Sequence, residues 1–215
     1  MLNTANDHLF QVVNLRPWPQ STPQLHRQRG SFWNFDGEIF VGKGVGKARI
    51  RWYGLAVDVF TSHFVSYTNN PNSDNKLVRF LQSKETVSYI QRSDADIKLF
   101  GADINALPTT SSHWMPYYVL STYLRDSVTD RYPGASFHPW FATYGNRRNT
   151  YTRAAYPERI DLLMFRARPG LRMRTKDFVM PMFVTRAGGG KAVSLSDHEA
   201  LLAEYVIEQA RTEEE

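Results

Sequence analysis

Six polar residues of the chain directly follow short apolar runs and have the chemistry of a hydrolytic site. They are His63 in VDVFTSH, Asp103 and Asn105 in GADIN, Asp161 in ERID, and Asp197 and His198 in SLSDH. A carboxylate can hold an imidazole so that it takes a proton from water, while a second carboxylate and an amide position that water. A hard divalent cation, Mg²⁺ above all with such oxygen ligands, would neutralise the charge that develops at phosphorus. The set is therefore typical of metal-assisted phosphodiester hydrolysis.

These side chains need a sheet that brings the ends of its strands to one edge. Residues 38–65 hold two runs rich in β-branched and aromatic residues on either side of Gly54, which predicts a hairpin. An apolar stripe over residues 77–90 predicts a helix, and the run from 96 to 100 predicts a further strand. Strand, helix and strand in this order favour an α/β domain.

The remaining segments have weaker patterns. Residues 109–158 are rich in proline and glycine, which predicts a long functional loop region with one helix candidate over residues 117–126. Three further strands are predicted over residues 160–166, 177–184 and 200–207, and the last of these also fits a helix. We interpret residues 1–31 as an irregular segment, residues 32–208 as the domain and residues 209–215 as a charged tail.

Composition limits the classes of protein to which the chain can belong. Its 215 residues carry 26 Lys and Arg against 21 Asp and Glu, a formal net charge of +5. This charge suits an anionic substrate or surface but is too small to indicate a dedicated nucleic-acid binder. No cysteine is present, which excludes disulfides, thiolate metal sites and cysteine nucleophiles. Without a transmembrane run or a signal peptide, the chain is expected to be soluble.

The polar residues lie in motifs that resemble a known family. GADINALP, PERIDLLMF and SLSDHEAL resemble the GDxNxxP, RIDY and SDHxA signatures of the endonuclease/exonuclease/phosphatase superfamily. FVGKGVG, TSHF and GNRRNTY, with the spacing of Arg79, Gln82 and Glu85, resemble the neutral sphingomyelinases within it. The resemblance covers residues 32–206 and implies an α/β fold. That fold is a partial DNase I-like four-layer α/β/β/α sandwich with mixed, mostly antiparallel sheets.

The resemblance also implies a role for each catalytic candidate. His198 is the expected general base, and Asp161 is its expected orienting partner. Asp103 and Asn105 are expected to position the attacking water and to bind the phosphate. His63 is expected to stabilise phosphate oxygens in the transition state.

The metal and the substrate follow from the same resemblance. Asp197 is expected on or near a Mg²⁺ ion, for which Mn²⁺ is an alternative, and Lys43 is expected to contact the phosphate or the lipid interface. The implied reaction is hydrolysis of sphingomyelin to ceramide and phosphocholine at a membrane surface. The implied location is intracellular and peripheral to membranes, and no protein partner is inferred.

A second interpretation is a DNase I-like nuclease, which would use the same catalytic residues on a nucleic acid. The basic run of Arg166, Arg168, Arg172, Arg174 and Lys176 fits a DNA backbone, anionic lipid headgroups or a solvated face. The aromatic stretches WMPYY and HPWFATY fit either packing over the sheet or an interfacial wedge. Substrate choice therefore stays open between a lipid and a nucleic acid.

The resemblance is incomplete at its start. The family begins with a strand that bears a metal-site Asn, followed by a strand that bears the principal Glu ligand, and neither is found in this sequence. The chain is therefore expected to begin inside the domain, with exposed strand edges and fewer carboxylates for the cation. We expect weak Mg²⁺ binding and slow or no turnover by the isolated chain, so an inactive truncated fragment is a third interpretation.

Overall fold

A computed structural model describes residues 11–17, of which only the backbone is considered, and residues 43–66, 75–108, 115–135, 138–152, 155–186 and 189–210. Over these residues the strands are β1 (Gln11–Pro17), β2 (Gly44–Trp52), β3 (Leu55–His63), β4 (Ile97–Asp103), β5 (Arg125–Asp126), β6 (Asp161–Ala167), β7 (Leu171–Val179), β8 (Val184–Arg186), β9 (Ala192–Ser194) and β10 (Leu202–Gln209). The α-helices are α1 (Asn75–Gln91), α2 (Pro116–Ser121) and α3 (Ser127–Arg131), and a 3-10 helix covers Pro139–Phe141. None of these helices is long and apolar enough to cross a membrane.

The main sheet is mixed and mostly antiparallel. Its strand order is β1-β2-β3-β4-β6-β5, in which β3 and β4 are parallel neighbours. Because parallel neighbours need a crossover, α1 connects them. Strands β7 and β10 form a second, antiparallel pair, and β8 and β9 form a short hairpin. The predicted hairpin and the predicted strand, helix and strand unit are both confirmed.

Helices α1 and α2 cover one face of the main sheet, whereas α3 packs mainly against β7. Phe60 of β3, Phe100 of β4 and Met164 of β6 project toward this face and are almost fully buried. They pack in one cluster with Ile90 of α1 and Leu120 of α2. Period-2 side chains on the strands and a helical stripe on α1 therefore meet as the apolar pattern predicts.

The second sheet covers the opposite face. Residues of the other parity, among them Val57, Ile97 and Phe165, form a separate cluster with Met173 of β7 and Ile207 of β10. The described residues thus form a helix layer, a mixed sheet and a second sheet.

A buried carboxylate fixes the register of the β2–β3 hairpin far from the predicted site. Asp58 is fully buried and accepts hydrogen bonds from Arg49 at 2.6 and 2.9 Å and from Ser93 at 2.6 Å. Lys47 Nζ lies 2.7 Å from the same carboxylate. Burial alone would raise the pKa of Asp58, but the bonds from Arg49, Lys47 and Ser93 outweigh it and lower the pKa. Through the hydrogen bond from Ser93, this buried carboxylate also joins the hairpin to the segment after α1.

Some predicted boundaries are wrong. Within the segment predicted to be irregular, residues 11–17 form β1, because an open edge of β2 offers backbone partners to them; residues 1–10 and 18–31 lie outside the described residues. The helix candidate over 117–126 ends at Ser121, since Asp126 pairs with Met164 of β6.

Two strand predictions near the end of the chain have different outcomes. The strand predicted over residues 177–184 is wrong, because β7 ends at Val179 and β8 begins at Val184. Pro181 lies between them and has no N–H group for a sheet. The strand predicted over residues 200–207 is confirmed by β10, so the helical alternative for it is wrong. Pairing with β7 decides that ambiguity.

Candidate active site

Three of the predicted residues lie side by side at one end of the main sheet. His63 ends β3, Asp103 ends β4 and Asp161 begins β6. His63 is the register partner of Asp103, and Asp103 is the register partner of Asp161. Since cross-strand partners project from the same face, one imidazole and two carboxylates form a row. We call these three residues the strand-end row.

The predicted pairing of Asp161 with His198 is present. Oδ2 of Asp161 lies 2.7 Å from Nδ1 of His198, and ligand atoms of Asp103, Asp161 and His198 all lie within 4.8 Å of one another. The hydrogen bond to Asp161 outweighs burial, and with the negative charges nearby it raises the pKa of His198 to about 9. Because Nδ1 is occupied, Nε2 is the nitrogen that remains for proton exchange with water.

Asp103 occupies the middle of the strand-end row. Its side chain is 14% exposed, and burial, followed by the charge of Asp161, raises its pKa to about 6. Its Oδ1 accepts a 2.7 Å hydrogen bond from the Asn105 backbone N–H, and Nε2 of His63 lies 3.5 Å from its Oδ2. Two carboxylates in one partly buried place repel each other, so the site holds an excess of negative charge.

Asn105 and Lys43 meet at the carbonyl oxygen of Phe64. Nζ of Lys43 donates to this oxygen at 2.8 Å, and Nδ2 of Asn105 donates to it at 3.1 Å. Asn105 has a φ of 47°, a left-handed conformation that Asn tolerates better than most residues. The structure therefore brings both predicted residues next to the strand-end row, with Lys43 as a nearby positive charge for Asp103.

Asp197 lies beside this group and outside its set of three potential ligands. Its side chain is exposed, and its Oδ1 accepts a long 3.4 Å hydrogen bond from Ser196 Oγ. The side chain of His63 is also well exposed, at 61%. The roles of Asp197 at the metal and of His63 at the phosphate remain predictions.

The segment that carries the imidazole is held by the loop of residues 145–152. Nδ2 of Asn149 donates to the Ser196 carbonyl at 2.9 Å, and Oγ1 of Thr152 donates to the Asp197 carbonyl at 3.1 Å. Two more hydrogen bonds between backbone N–H groups and hydroxyls join the same loop to β9. The GNRRNTY motif marks this loop in the sequence, but its supporting contacts depend on the fold.

Gly145 makes the approach of this loop possible. Its φ is 69°, and a Cβ atom at this position would lie 2.2 Å from the Tyr156 carbonyl oxygen. Only glycine fits so close to another backbone in a left-handed conformation.

A buried ion pair anchors the chain just before Asp161. Arg159 donates to the Asp126 carboxylate at 2.6 and 3.2 Å, and the Tyr117 hydroxyl donates to the same carboxylate at 2.9 Å. All three side chains are almost fully buried, and burial raises the pKa of Tyr117 to about 12. Asp126 could not be predicted from sequence, because nothing in its surroundings indicates which acid would pair with the arginine of the RID motif.

The donor set at the site fits a divalent cation. Asp103 and Asp161 offer hard carboxylate oxygens, and His198 offers an imidazole. Burial and, after it, the negative charge of Asp161 raise the pKa of Asp103, and a cation would offset the second of these effects. Within the described ranges, this is the one group of such side chains close enough together to hold a metal.

An open pocket of about 330 Å³ adjoins His198. Its walls include Met182, Phe183, Val184 and Leu195, which are exposed. An apolar surface beside a polar site can bind the apolar part of an amphiphilic molecule. Part of this wall lies in the segment predicted as a strand over residues 177–184, and the pocket itself was not predicted.

The two aromatic stretches take different places. In WMPYY, Tyr117 is buried in the helix-side core. In HPWFATY, Trp140 is 76% exposed, whereas Phe141 packs against Tyr132 and Phe178. Packing over the sheet therefore describes the first stretch at Tyr117, and the second stretch is divided between packing and exposure.

The basic run forms an exposed strand-and-turn face. Arg168 lies in an ion pair with Asp96 at 2.5 Å, and Lys176 lies in one with Glu204 at 2.7 Å. The side chains of Arg172 and Arg174 alternate with buried residues along β7 and face outward.

The sequence of the chain is similar to that of one curated protein in particular. That protein is the "Putative neutral sphingomyelinase" of Drosophila melanogaster, which is 28% identical over 191 residues, covering 85% of this chain and 39% of the relative. The chain thus spans well under half the length of this relative. No protein-family model matches the chain.

Several solved structures are similar to the fold. D. rerio TDP2 complexed with a single-strand DNA product has a TM-score of 0.60 at 14% identity, with 92% of this chain and 68% of that chain covered. An endonuclease/exonuclease/phosphatase family protein from Bacteroides thetaiotaomicron has a TM-score of 0.54 at 14% identity, with 96% and 68% covered. Staphylococcus aureus beta toxin has a TM-score of 0.54 at 18% identity, with 81% and 60% covered.

At such identities these likenesses show the fold alone. Together with the mixed sheet and the two layers on its faces, they confirm the predicted fold class. The chain therefore has the DNase I-like fold of the endonuclease/exonuclease/phosphatase proteins, as a partial α/β/β/α sandwich, and its resemblance to the neutral sphingomyelinases is confirmed by its similarity to the Drosophila protein.

Proposed function

We propose that the chain carries the catalytic residues of a Mg²⁺-dependent phosphodiesterase that hydrolyses sphingomyelin to ceramide and phosphocholine. The 2.7 Å contact between Asp161 and His198 beside Asp103 is the observation that supports hydrolysis most directly. The likeness to a protein named as a putative neutral sphingomyelinase supports the choice of lipid.

The proposed reaction is an in-line attack of water on phosphorus. Asp161 fixes the tautomer of His198 by accepting a hydrogen bond from Nδ1, so that Nε2 takes a proton from the water. Asp103 and Asn105 position this water, and the Phe64 carbonyl fixes the Asn105 side chain by accepting a hydrogen bond from its Nδ2. Attack breaks the bond between phosphorus and the ceramide oxygen. The departing oxygen takes a proton from solvent, and the imidazolium releases the proton of the attacking water to solvent.

The remaining candidate residues are proposed to stabilise the charges of the phosphate and of the cation. His63 and Lys43 are proposed to stabilise the phosphate oxygens, since they lie next to Asp103 and to the Phe64 carbonyl. The carboxylates of Asp103 and Asp161, with Asp197 near them, would hold the cation. A bound Mg²⁺ or Mn²⁺ ion would neutralise charge on the phosphate as the attack proceeds.

The apolar pocket beside His198 supports a lipid substrate. Phe183 and Leu195 are 59% and 62% exposed on its walls, where a chain of ceramide would contact them while the phosphate lies at the strand-end row. We propose that the enzyme works at a membrane surface, with these side chains toward the lipid.

A nuclease is the second candidate function. Arg147 and Arg148 are exposed on the loop of residues 145–152, which also holds the segment before His198. Two exposed cations on the loop that holds this segment would suit the backbone of a nucleic acid. The similar TDP2 structure contains a single-strand DNA product.

The central test measures phosphocholine release from sphingomyelin vesicles with Mg²⁺. His198→Ala should lower the rate by at least about 10²-fold, the usual contribution of a general base. His138→Ala is the matched control, because His138 lies in an exposed loop and its ring accepts a hydrogen bond from the Trp140 backbone N–H. Equal rates for His198→Ala and the unmodified chain would contradict the proposal.

A second comparison separates the lipid from the nucleic acid. Phe183→Ser with Leu195→Ser should slow hydrolysis of vesicles but leave hydrolysis of the soluble diester bis(p-nitrophenyl) phosphate unchanged. Arg147→Ala with Arg148→Ala should leave vesicle hydrolysis unchanged. Cleavage of single-stranded DNA that falls in this arginine variant, without hydrolysis of vesicles, would favour the nuclease.

A further inference from the structure

A buried hydroxyl connects the two sequence segments that supply the catalytic pair. We infer that Thr143 is a positioning residue that holds the backbone of Asp161 and the segment after His198 in one arrangement. Its consequence for catalysis rests on the proposed function, because the affected reaction is the one assigned to Asp161 and His198.

The first half of this connection is made by the side chain. Oγ1 of Thr143 accepts hydrogen bonds from the backbone N–H groups of Ile160 and Asp161, both at 3.1 Å. The same hydroxyl donates to the Glu158 carbonyl at 3.5 Å. Two backbone donors that enter β6 from the loop side thereby share one acceptor. The hydroxyl takes the place of a neighbouring strand where the sheet ends.

The second half is made by the backbone of Thr143. Its carbonyl oxygen accepts a 2.7 Å hydrogen bond from the Glu199 N–H, directly after His198. The ring of the next residue, Tyr144, packs against the His198 imidazole with centroids 5.3 Å apart. One dipeptide thus contacts both partners of the catalytic pair.

Burial makes the hydroxyl hard to replace. Thr143 is 0% exposed, so loss of its oxygen would leave one buried and one partly buried N–H group without their acceptor. The N–H groups belong to Ile160 and to Asp161 itself, so the backbone that presents the Asp161 carboxylate would move to satisfy them. A displacement of about 1 Å at a catalytic pair is sufficient to reduce turnover about 10²-fold.

Thr175 offers a matched comparison within the same molecule. It is also almost fully buried, at 4% exposure, but within the described part of the chain its Oγ1 has no hydrogen-bond partner. A threonine to valine change at Thr175 therefore removes a hydroxyl that bonds to nothing described. The same change at Thr143 removes one that bonds to both N–H groups.

The experiment compares Thr143→Val, Thr143→Ser and Thr175→Val. In Thr143→Val, kcat on sphingomyelin vesicles should fall by about 10²-fold with little change in KM. Amide exchange of Ile160 and Asp161 should become roughly tenfold faster than in the unmodified chain, as expected for loss of a hydrogen bond. Thr143→Ser should restore both readouts, and Thr175→Val should change neither.

The exchange measurement needs no substrate, so it remains decisive if the chain hydrolyses neither lipid nor DNA. Fast exchange of the Ile160 and Asp161 amides in the unmodified chain would overturn the inference, even if Thr143→Val fails to fold. Loss of kcat in Thr143→Val with both amides still protected would also overturn it, because the effect would not pass through Asp161. The inference would also be overturned if Thr143→Ser failed to restore kcat.

Discussion

Nδ1 of His198 lies 2.7 Å from Oδ2 of Asp161, although the two residues are 37 positions apart in the chain. The bond holds the imidazole in one tautomer and raises the pKa of His198 to about 9, mainly through the hydrogen bond itself. Several measurable properties of the protein depend on this contact.

Asp161→Asn should return the pKa of His198 toward its ordinary value of 6.5, because the amide cannot stabilise the imidazolium as a carboxylate does. The expected loss of kcat is about 10²-fold to 10⁴-fold, the range of a misplaced general base. NMR titration of the His198 ring in both proteins checks the pKa. A value near 9 in the variant would show that Asp161 is not the cause of the shift.

Activity should rise with pH, because the proposed base must be neutral to accept a proton. In the absence of a bound cation, activity should stop rising near the His198 pKa of about 9. Added Mg²⁺ should lower this pKa by at least about one unit, since a cation repels the imidazolium. Ring titrations of His198 with Mg²⁺ and with EDTA test the shift, and the exposed ring of His138 is the internal control. Identical His198 curves would count against a cation at the carboxylates.

Asp103→Asn should stabilise the fold while it abolishes activity. The folded-state pKa of Asp103, about 6, exceeds its ordinary 3.8, so stability falls as pH rises between these values and the full penalty is present at pH 7. Replacing the carboxyl should therefore raise the free energy of unfolding at pH 7 by about 1–3 kcal/mol. Denaturant unfolding at pH 7 and pH 3 measures this, with the exposed Asp197→Asn as control. An equal gain at pH 3 would rule out the electrostatic cause.

Gly145→Ala should destabilise the protein by more than about 2 kcal/mol, because the new Cβ would lie 2.2 Å from the Tyr156 carbonyl oxygen at a φ of 69°. Gly134→Ala is the matched control, since its φ is 84° but a Cβ would meet nothing within 4 Å. The control should lose only about 1 kcal/mol from the left-handed conformation. Thermal unfolding of both variants separates the steric contribution to the loss of stability from the contribution of the left-handed backbone. Equal losses of stability in the two variants would contradict a close approach at Gly145.

The strand-end row could be predicted from sequence because each member directly follows or begins an apolar run. Residue type and position at the end of a strand were sufficient to predict these three residues, and the SDH motif was sufficient to predict His198. Thr143 could not be predicted, since a threonine in a proline-rich and glycine-rich loop has no pattern that reveals its burial. Asp126 was missed for the same reason.

Strand boundaries failed where local composition conflicts with long-range pairing. The apolar run that includes Phe178 and Phe183 continues through Pro181, but only residues with a partner on β10 remain in β7. The helical alternative for β10 was wrong because periodicity within one segment cannot reveal that its partner, β7, lies far away in the chain. Tertiary pairing decided both cases.

The register of β3, β4 and β6 also constrains how this sequence can vary. Because side chains alternate with a period of two, inserting or deleting one residue within β4 would turn Asp103 from the row toward the helix-packed face. Such a change would leave the amino-acid composition and the apolar content almost unaltered. Strand length is therefore under tighter constraint here than the choice of apolar residue. Tolerance to insertions and deletions should be lowest in β3, β4 and β6, which carry His63, Asp103 and Asp161 at their site ends.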